Sequence, residues 1–231
     1  MAISLLAAIT YLNSCISPEP EGLVAQGLLM GEPCSPPCWQ GLVPGTSTEA
    51  EVDEFLAHSE YVDGVYKDDY WKTHAIRWRP MGRMSGDNSF AARNGMLVLM
   101  RMYVDSEVTL GQVVDRYGPP DKYAAGRSVH PEPVYIVAVL FYREHGMILE
   151  LHLPEDDPEL RPQTELLSVE YYEPAPLEEV LSASAFGISK PRTQEEIEWI
   201  ENAIEDWDDW EGYGSVIREP AMLPPGPPGA P

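Results

Sequence analysis

Apolar and polar positions along the chain follow short runs of helical and strand periodicity. Val52, Phe55 and Leu56 fall on one side of a helix, and Thr48 just ahead of them suits its N-cap. Strand-like stretches follow at Ala75–Arg79, where Ile76 and Trp78 alternate with charged neighbours, and at Met96–Val104. A second unit opens at Thr109, which places Val113 and Tyr117 at the offsets that Val52 and Leu56 keep from Thr48. Gly118-Pro119-Pro120 stops that helix, since glycine allows a left-handed cap and proline cannot continue the helix. Val134–Tyr142 and Met147–Leu153 then form a hairpin about Arg143-Glu144-His145-Gly146. In its latter strand Met147, Leu149, Leu151 and Leu153 share one face, while Glu150 and His152 point the other way. A fifth strand is expected at Leu166–Tyr172.

The last third reads as helical. Pro176 suits a first turn, with Leu177, Val180 and Leu181 as a short apolar face. Thr193 and Glu196 form a capping box that opens a helix with Ile197, Ile200, Ile204 and Trp207 on one stripe. The fold class that follows is α+β: two approximate helix–β-hairpin repeats forming an antiparallel sheet, with C-terminal helices packed on it. Residues 38–153 hold the tandem repeat, 154–213 a helical extension of the same domain, and 214–231 a Pro-rich disordered tail.

The N-terminus carries a different signal. Met1 to Leu12 is almost wholly apolar, too short for the roughly 20 residues a bilayer span needs but within the roughly 7–15 of a signal-peptide apolar region. It ends in Leu12-Asn13-Ser14-Cys15, which resembles the bacterial lipobox, with Cys15 as the residue to be lipidated. Residues 1–14 are thus expected to be a signal peptide. Residues 15–37, rich in Pro, Gly and Glu, are expected to be a lipid-anchored tether. With Cys15 set aside for lipid, Cys34 and Cys38 are left close together, and a small-loop disulfide is the natural reading in an oxidising compartment.

Charge narrows the partners. Lys and Arg total 15 against 38 Asp and Glu, a net −23, so nucleic acid is excluded as a natural partner because a phosphate backbone needs a basic face. From Glu155 to Glu211 there are 18 acids and 3 bases, so about −15 of the charge lies in that stretch. Basic proteins, cations and polycationic wall components stay open, beside the plainer reading of solubility.

Catalytic signatures are missing. The sequence has no Gly-x-Ser-x-Gly elbow, no His-Glu-x-x-His helix and no phosphate-binding glycine loop. His58, His74, His130, His145 and His152 are scattered, and Glu155-Asp156-Asp157 and Asp206–Glu211 lack the layout of a calcium loop. No metal and no cofactor is expected. The surface best suited to protein recognition is the aromatic-acidic C-terminus, with Trp207, Trp210 and Tyr213 set among acids; the plainer alternative makes Trp207 core and Trp210 its cap.

Thr109, Val113, Gly118 and Pro120, with a fainter copy at Gly45, Thr48 and Val52, resemble the SmpA/OmlA-type small lipoproteins and the β-lactamase-inhibitor-like α+β folds. Pro37-Cys38-Trp39-Gln40-Gly41-Leu42 followed by Pro44-Gly45-Thr46 also resembles a stretch common in uncharacterised bacterial lipoproteins. The first unit departs from the pattern, having Ala57-His58-Ser59-Glu60 where the Gly-x-Pro stop would fall. The resemblance implies a protein-binding, non-catalytic role. The expectation is therefore an exported, membrane-anchored lipoprotein on the extracytoplasmic face of the cytoplasmic membrane, with a binding or scaffolding module and an unknown protein partner. An acidic immunity or inhibitor protein directed at a basic toxin or enzyme is the second reading, and an exported hydrolase with an unrecognised carboxylate pair the third.

Overall fold

Two matching helix starts set the architecture. In a computed structural model, which describes residues 22–70, 73–80, 88–128, 134–185 and 207–216 (with 68–70, 73–75, 77–80 and 182–185 as backbone alone), both have the same cap. Helix α2 (Glu49–His58) starts at Thr48, whose hydroxyl accepts from the Glu51 N–H while the Glu51 carboxylate accepts from the Thr48 N–H. Helix α3 (Leu110–Tyr117) starts at Thr109 with the same box closed by Gln112. Each cap residue also forms an isolated antiparallel bridge, Thr48 with Met96 and Thr109 with Glu165. The bonds on either side match too. The Leu97 N–H donates to the Ser47 carbonyl as Leu166 does to Val108, and Glu49 donates to Gly95 as Leu110 does to Thr164. The two units are structural repeats.

Each helix leads into a meander. After α2 come β1 (Val62–Tyr70), β2 (Thr73–Pro80), β3 (Asn88–Arg93) and β4 (Met96–Tyr103). After α3 come β5 (Lys122–Arg127), β6 (Tyr135–Tyr142), β7 (Met147–Pro154), a two-residue β8 (Glu159–Leu160) and β9 (Ser168–Tyr172). The last strands of the two meanders pair antiparallel, Leu99 with Tyr172 through Tyr103 with Ser168. The sheet order among the described residues is therefore β1-β2-β3-β4-β9-β7-β6-β5, closed by a short β10 (Asp208–Asp209) beside β5. The order of the second unit mirrors that of the first about the β4–β9 seam.

One face of this sheet carries the main core. Phe90, Leu97, Met100, Met102, Ala138, Leu140, Leu149, Leu151, Val169 and Tyr171 are fully buried there with Val52 of α2 and with Leu110 and Val113 of α3. On the other face Phe141, Ile148 and Tyr172 pack against Leu177 and Val180 of α4 (Leu177–Ala185). The α+β class, the two repeats and a C-terminal helix on the sheet all stand as the periodicity predicts. Residues 193–206, assigned to a longer helix, lie outside the described residues.

Three expectations need correction. The segment 15–37 is not a tether throughout: Leu23–Met30 is helix α1, with Val24, Ala25 and Leu28 buried in the main core. Gly27 lies against Trp39, where an added Cβ would sit 3.0 Å from the indole, so it is a close-packing residue and not a spacer. The boundary at 153 also fails, because β9 lies at the centre of the sheet. Nor does the tail begin at 214: Gly214–Ser215 is strand β11, paired with β8, and Val216 is buried.

Helix α1 is held from a distance. Both oxygens of Asp105, in the link between the two units, accept from its first turn: Val24 N–H to Oδ2 and Ala25 N–H to Oδ1, each 3.1 Å. Trp39 fills the space beside α1, edge-on to Phe55 of α2 at 5.5 Å and to Phe90 of β3 at 6.0 Å. Its neighbours Gln40 and Gly41 both have positive φ, 51° and 84°, and make a tight turn between Trp39 and Leu42. The Pro-Cys-Trp-Gln-Gly-Leu stretch is thus a plug for the first unit, and the Cys34–Cys38 disulfide fixes its approach.

Asp105→Ala should lower stability by about 1–2 kcal/mol, the usual worth of an N-cap, and speed exchange of the Val24 and Ala25 amides. An unchanged urea midpoint with unchanged amide protection would rule out the cap. Replacing Cys34 and Cys38 together by Ser should cost about 2 kcal/mol, as expected for so small a closed loop, and dithiothreitol should have the same effect on the parent chain.

Candidate binding site

The second unit ends in a short strap, residues 207–216, that crosses from one strand edge to another. Asp208 and Asp209 pair with Tyr123 and Lys122 of β5, and Lys122 Nζ lies 2.8 Å from Asp209 Oδ1, holding that carboxyl below the usual carboxylate range. The Trp210 N–H donates to the Asp121 carbonyl at 3.4 Å. Beyond it, Gly214 and Ser215 pair with Leu160 and Glu159, and the Val216 N–H donates to the Pro158 carbonyl at 3.0 Å. The strap is tied at both ends and its middle arches over the surface.

Trp207, Trp210 and Tyr213 do not form one patch. Trp207, expected on a helix, precedes β10 and stands edge-on to Phe141 at 6.1 Å, in the small core on the α4 side of the sheet. Trp210 turns to the opposite face, edge-on to the buried Tyr123 at 6.2 Å and 88°. Tyr213 meets Trp210 edge-to-face at 5.7 Å and 84°, and is 42% exposed. Partial burial, followed by the nearby Asp115 carboxylate of α3, raises the Tyr213 hydroxyl above the ordinary phenol range, so the ring is uncharged at neutral pH. Under the arch lies a cavity of about 210 Å³, lined by Tyr123, Leu160, Trp210, Glu211, Tyr213 and Val216, with a mostly polar surface. Tyr123 comes from β5, the first strand of the second meander, and no local pattern marks its part.

A second cluster sits at the seam, on the sheet face opposite the main core. Arg101 of β4 stands across from Glu170 of β9, with its Nε 3.6 Å from Glu170 Oε1, and its guanidinium also donates to Glu150 Oε2. That same oxygen accepts from Ser168 Oγ at 3.1 Å, and Glu150 Oε1 lies 3.1 Å from His152 Nε2. Tyr135 stacks on His152 with ring centres 3.9 Å apart. Glu150 and His152 point away from the main core, as the alternation predicts, but they are half-buried and engaged. The two carboxylates share one guanidinium, and both oxygens of Glu150 have partners. The arrangement ties three strands together. A lone charge inside MLVLMRMY was the available signal for Arg101.

The remaining sequence candidates are dispersed. His145 lies in the β6–β7 turn with its ring 4.8 Å from Tyr117, and His58 Nδ1 lies 2.8 Å from the Glu54 carbonyl of its own helix. Asp157 is gripped by both terminal nitrogens of Arg161, whose hydrogen bonds lower its carboxyl. Cys34 and Cys38 form the expected disulfide, while Cys15 and His130 lie outside the described residues. Among the described residues no group of three or more His, Cys, Asp or Glu is placed to hold a metal, and no helix is long and apolar enough to cross a membrane.

No protein-family profile and no curated protein matches the chain. Among solved structures it is similar to a cysteine-rich secretory protein from Staphylococcus aureus, at 7% identity and a TM-score of 0.35. That likeness covers 81% of this chain and 61% of the other, so the chain spans less than two thirds of that protein's length. A resemblance at this level says nothing of role.

The seam has a signature in pH. Burial raises the Glu170 carboxyl above the usual carboxylate range, against the opposing pull of Arg101. A raised folded-state value means that the contribution of Glu170 to stability is fullest below the ordinary glutamate range and is lost as pH rises through the folded value. Glu170→Gln lacks that loss, so its stability relative to the parent should climb as pH rises from the ordinary glutamate value of about 4.3. Chemical unfolding at a series of pH values measures the difference, and a flat or falling one would contradict the assignment.

Proposed function

We propose that this chain is an exported, lipid-anchored envelope protein whose double repeat is a non-catalytic binding or scaffolding module related to the tandem SmpA/OmlA-type repeats. The observation that carries the reading is the pairing of Cys34 with Cys38, which leaves Cys15 of Leu12-Asn13-Ser14-Cys15 as the third cysteine. Disulfides persist in oxidising compartments, and a thiol set apart behind a short apolar run fits acylation. The paired capping boxes of α2 and α3 support the repeat relationship.

Because α1 belongs to the fold, the linker is shorter than composition suggests. Only residues 16–22 separate Cys15 from α1, and seven residues reach at most about 25 Å when fully extended. The module would then ride close to the membrane surface, with the strap as its partner-binding element.

The acidic strap, with Asp208, Asp209 and Glu211, also favours a second reading, an acidic immunity or inhibitor protein for a basic toxin or enzyme. The two part over the anchor. Labelled fatty acid should enter the parent protein, and Cys15→Ala should abolish the labelling and release the protein from the membrane fraction. Unlabelled protein retained in the cytoplasm with Met1–Leu12 intact would sink the lipoprotein reading and leave the immunity reading standing.

A further inference from the structure

We infer that strand β1 is a homodimer interface, at which two copies of this chain pair their β1 edges antiparallel about a two-fold axis at Val65. The inference stands apart from the anchor and from the strap.

The two ends of the sheet differ. At one end β5 is covered by β10, a strand that the chain brings back from its C-terminal stretch. At the other end lies β1, nine residues long, paired on its inner side with β2 and, among the described residues, with no strand on its outer side. Such an edge presents a row of backbone N–H and C=O groups that can take another strand. Exposed apolar groups gather there. Of the six large hydrophobic side chains exposed among the described residues, Tyr61, Val65 and Tyr66 fall within six consecutive positions.

The order of the residues selects a second copy as the occupant. Lys67 stands opposite Ile76, whose side chain lies in the main core, so Lys67 and Val65 are on the core side of the sheet and Gly64 and Tyr66 on the other. With both cores on one side, antiparallel pairing about Val65 sets Val65 against Val65, Gly64 against Tyr66 and Asp63 against Lys67. The two-fold axis makes the latter two pairs twice. Moving the axis to Tyr66 would set Val65 against Lys67, and moving it to Gly64 would set Asp63 against Val65.

A mid-strand charge and a bulge, here between Val62 and Gly64, commonly guard an edge against unwanted pairing. In this register the two charges, Asp63 and Lys67, are each other's complement. Lys67 reaches Asp53 of α2 at 2.6 Å, but its ammonium has three donors and its side chain is 46% exposed, which leaves room for a carboxylate of the other copy. The glycine serves the pairing as well. The Tyr66 ring leans back along its own strand, 3.6 Å from where a Cβ on Gly64 would sit. That place lies beside the other copy's Tyr66, and aromatic rings reach such diagonal neighbours. Each copy carries −23, so the two repel at a distance, and one strand pairing is a small interface. The association is therefore concentration-dependent, not permanent.

The test uses the full chain with the Cys34–Cys38 disulfide intact and Cys15 replaced by Ala. Sedimentation over a concentration series should show a monomer–dimer equilibrium that moderate salt strengthens, because salt screens the repulsion between copies. Val65→Cys should oxidise to a covalent dimer, since the axis brings the two sulfurs within disulfide reach, whereas Met30→Cys, exposed on α1, should not. Asp63→Lys alone and Lys67→Asp alone each set like charges opposite one another, and each should weaken association roughly fivefold. An equimolar mixture of the two variants should recover it, because a mixed pair restores both contacts between opposite charges. Amide spectra of the separate variants verify that each keeps the fold.

A parent chain that stays monomeric throughout the series would overturn the proposal. So would a mixture no better associated than its parts, which would place the dimer contact elsewhere. Cross-linking of Met30→Cys as fast as Val65→Cys would mark random collision and overturn it too. Shifts of the β1 amides with an acetylated oligolysine, without self-association, would assign the edge to a basic partner strand instead.

Discussion

The fold depends on one strand pairing, that of β4 with β9. Without it each unit is a four-stranded meander with an open edge, and an open edge is a site for aggregation. With it, Met100 and Met102 of the first unit lie beside Val169 and Tyr171 of the second in one continuous core. Each such side chain contributes roughly 1.5–3 kcal/mol on burial, well above the roughly 0.2–1 kcal/mol of a cross-strand ion pair. Apolar burial therefore stabilises the seam, and Arg101 opposite Glu170 does something else. A slip of one residue would turn Arg101 into the core and Met100 out of it, so the charged pair fixes the register that the apolar faces need.

The N-terminal segment depends on the same seam at one remove. Asp105, which caps α1, lies just past β4 in the link that leads to α3. Helix α1 also touches the end of α3, where the Tyr117 hydroxyl donates to the Leu28 carbonyl. Trp39 follows α1 and seals the gap between α2 and β3. The residues from 22 to 42 thus act as a clasp over the first unit that is fastened to the junction of the two. Gly and Pro in this stretch serve tight turns and close packing, the opposite of the flexible spacing that their abundance implies.

What could be read from sequence was what local chemistry dictates. Helices α2 and α3 were legible because a capping threonine and an apolar stripe lie within eight residues of one another, and β6 and β7 because alternation is strong there. Strands β1, β3 and β5 were not. VDGVYKDDY is acidic with an internal glycine, NSFAAR is short, and KYAAGR is built from residues of poor strand propensity, so their pairing partners decide their state. The β9 strand could be foreseen as a strand but not as the centre of the sheet, because that place is set wholly by long-range pairing. At the strap, Trp210 and Tyr213 could be singled out, but the cavity exists only because Tyr123 returns from the start of the second meander to meet them.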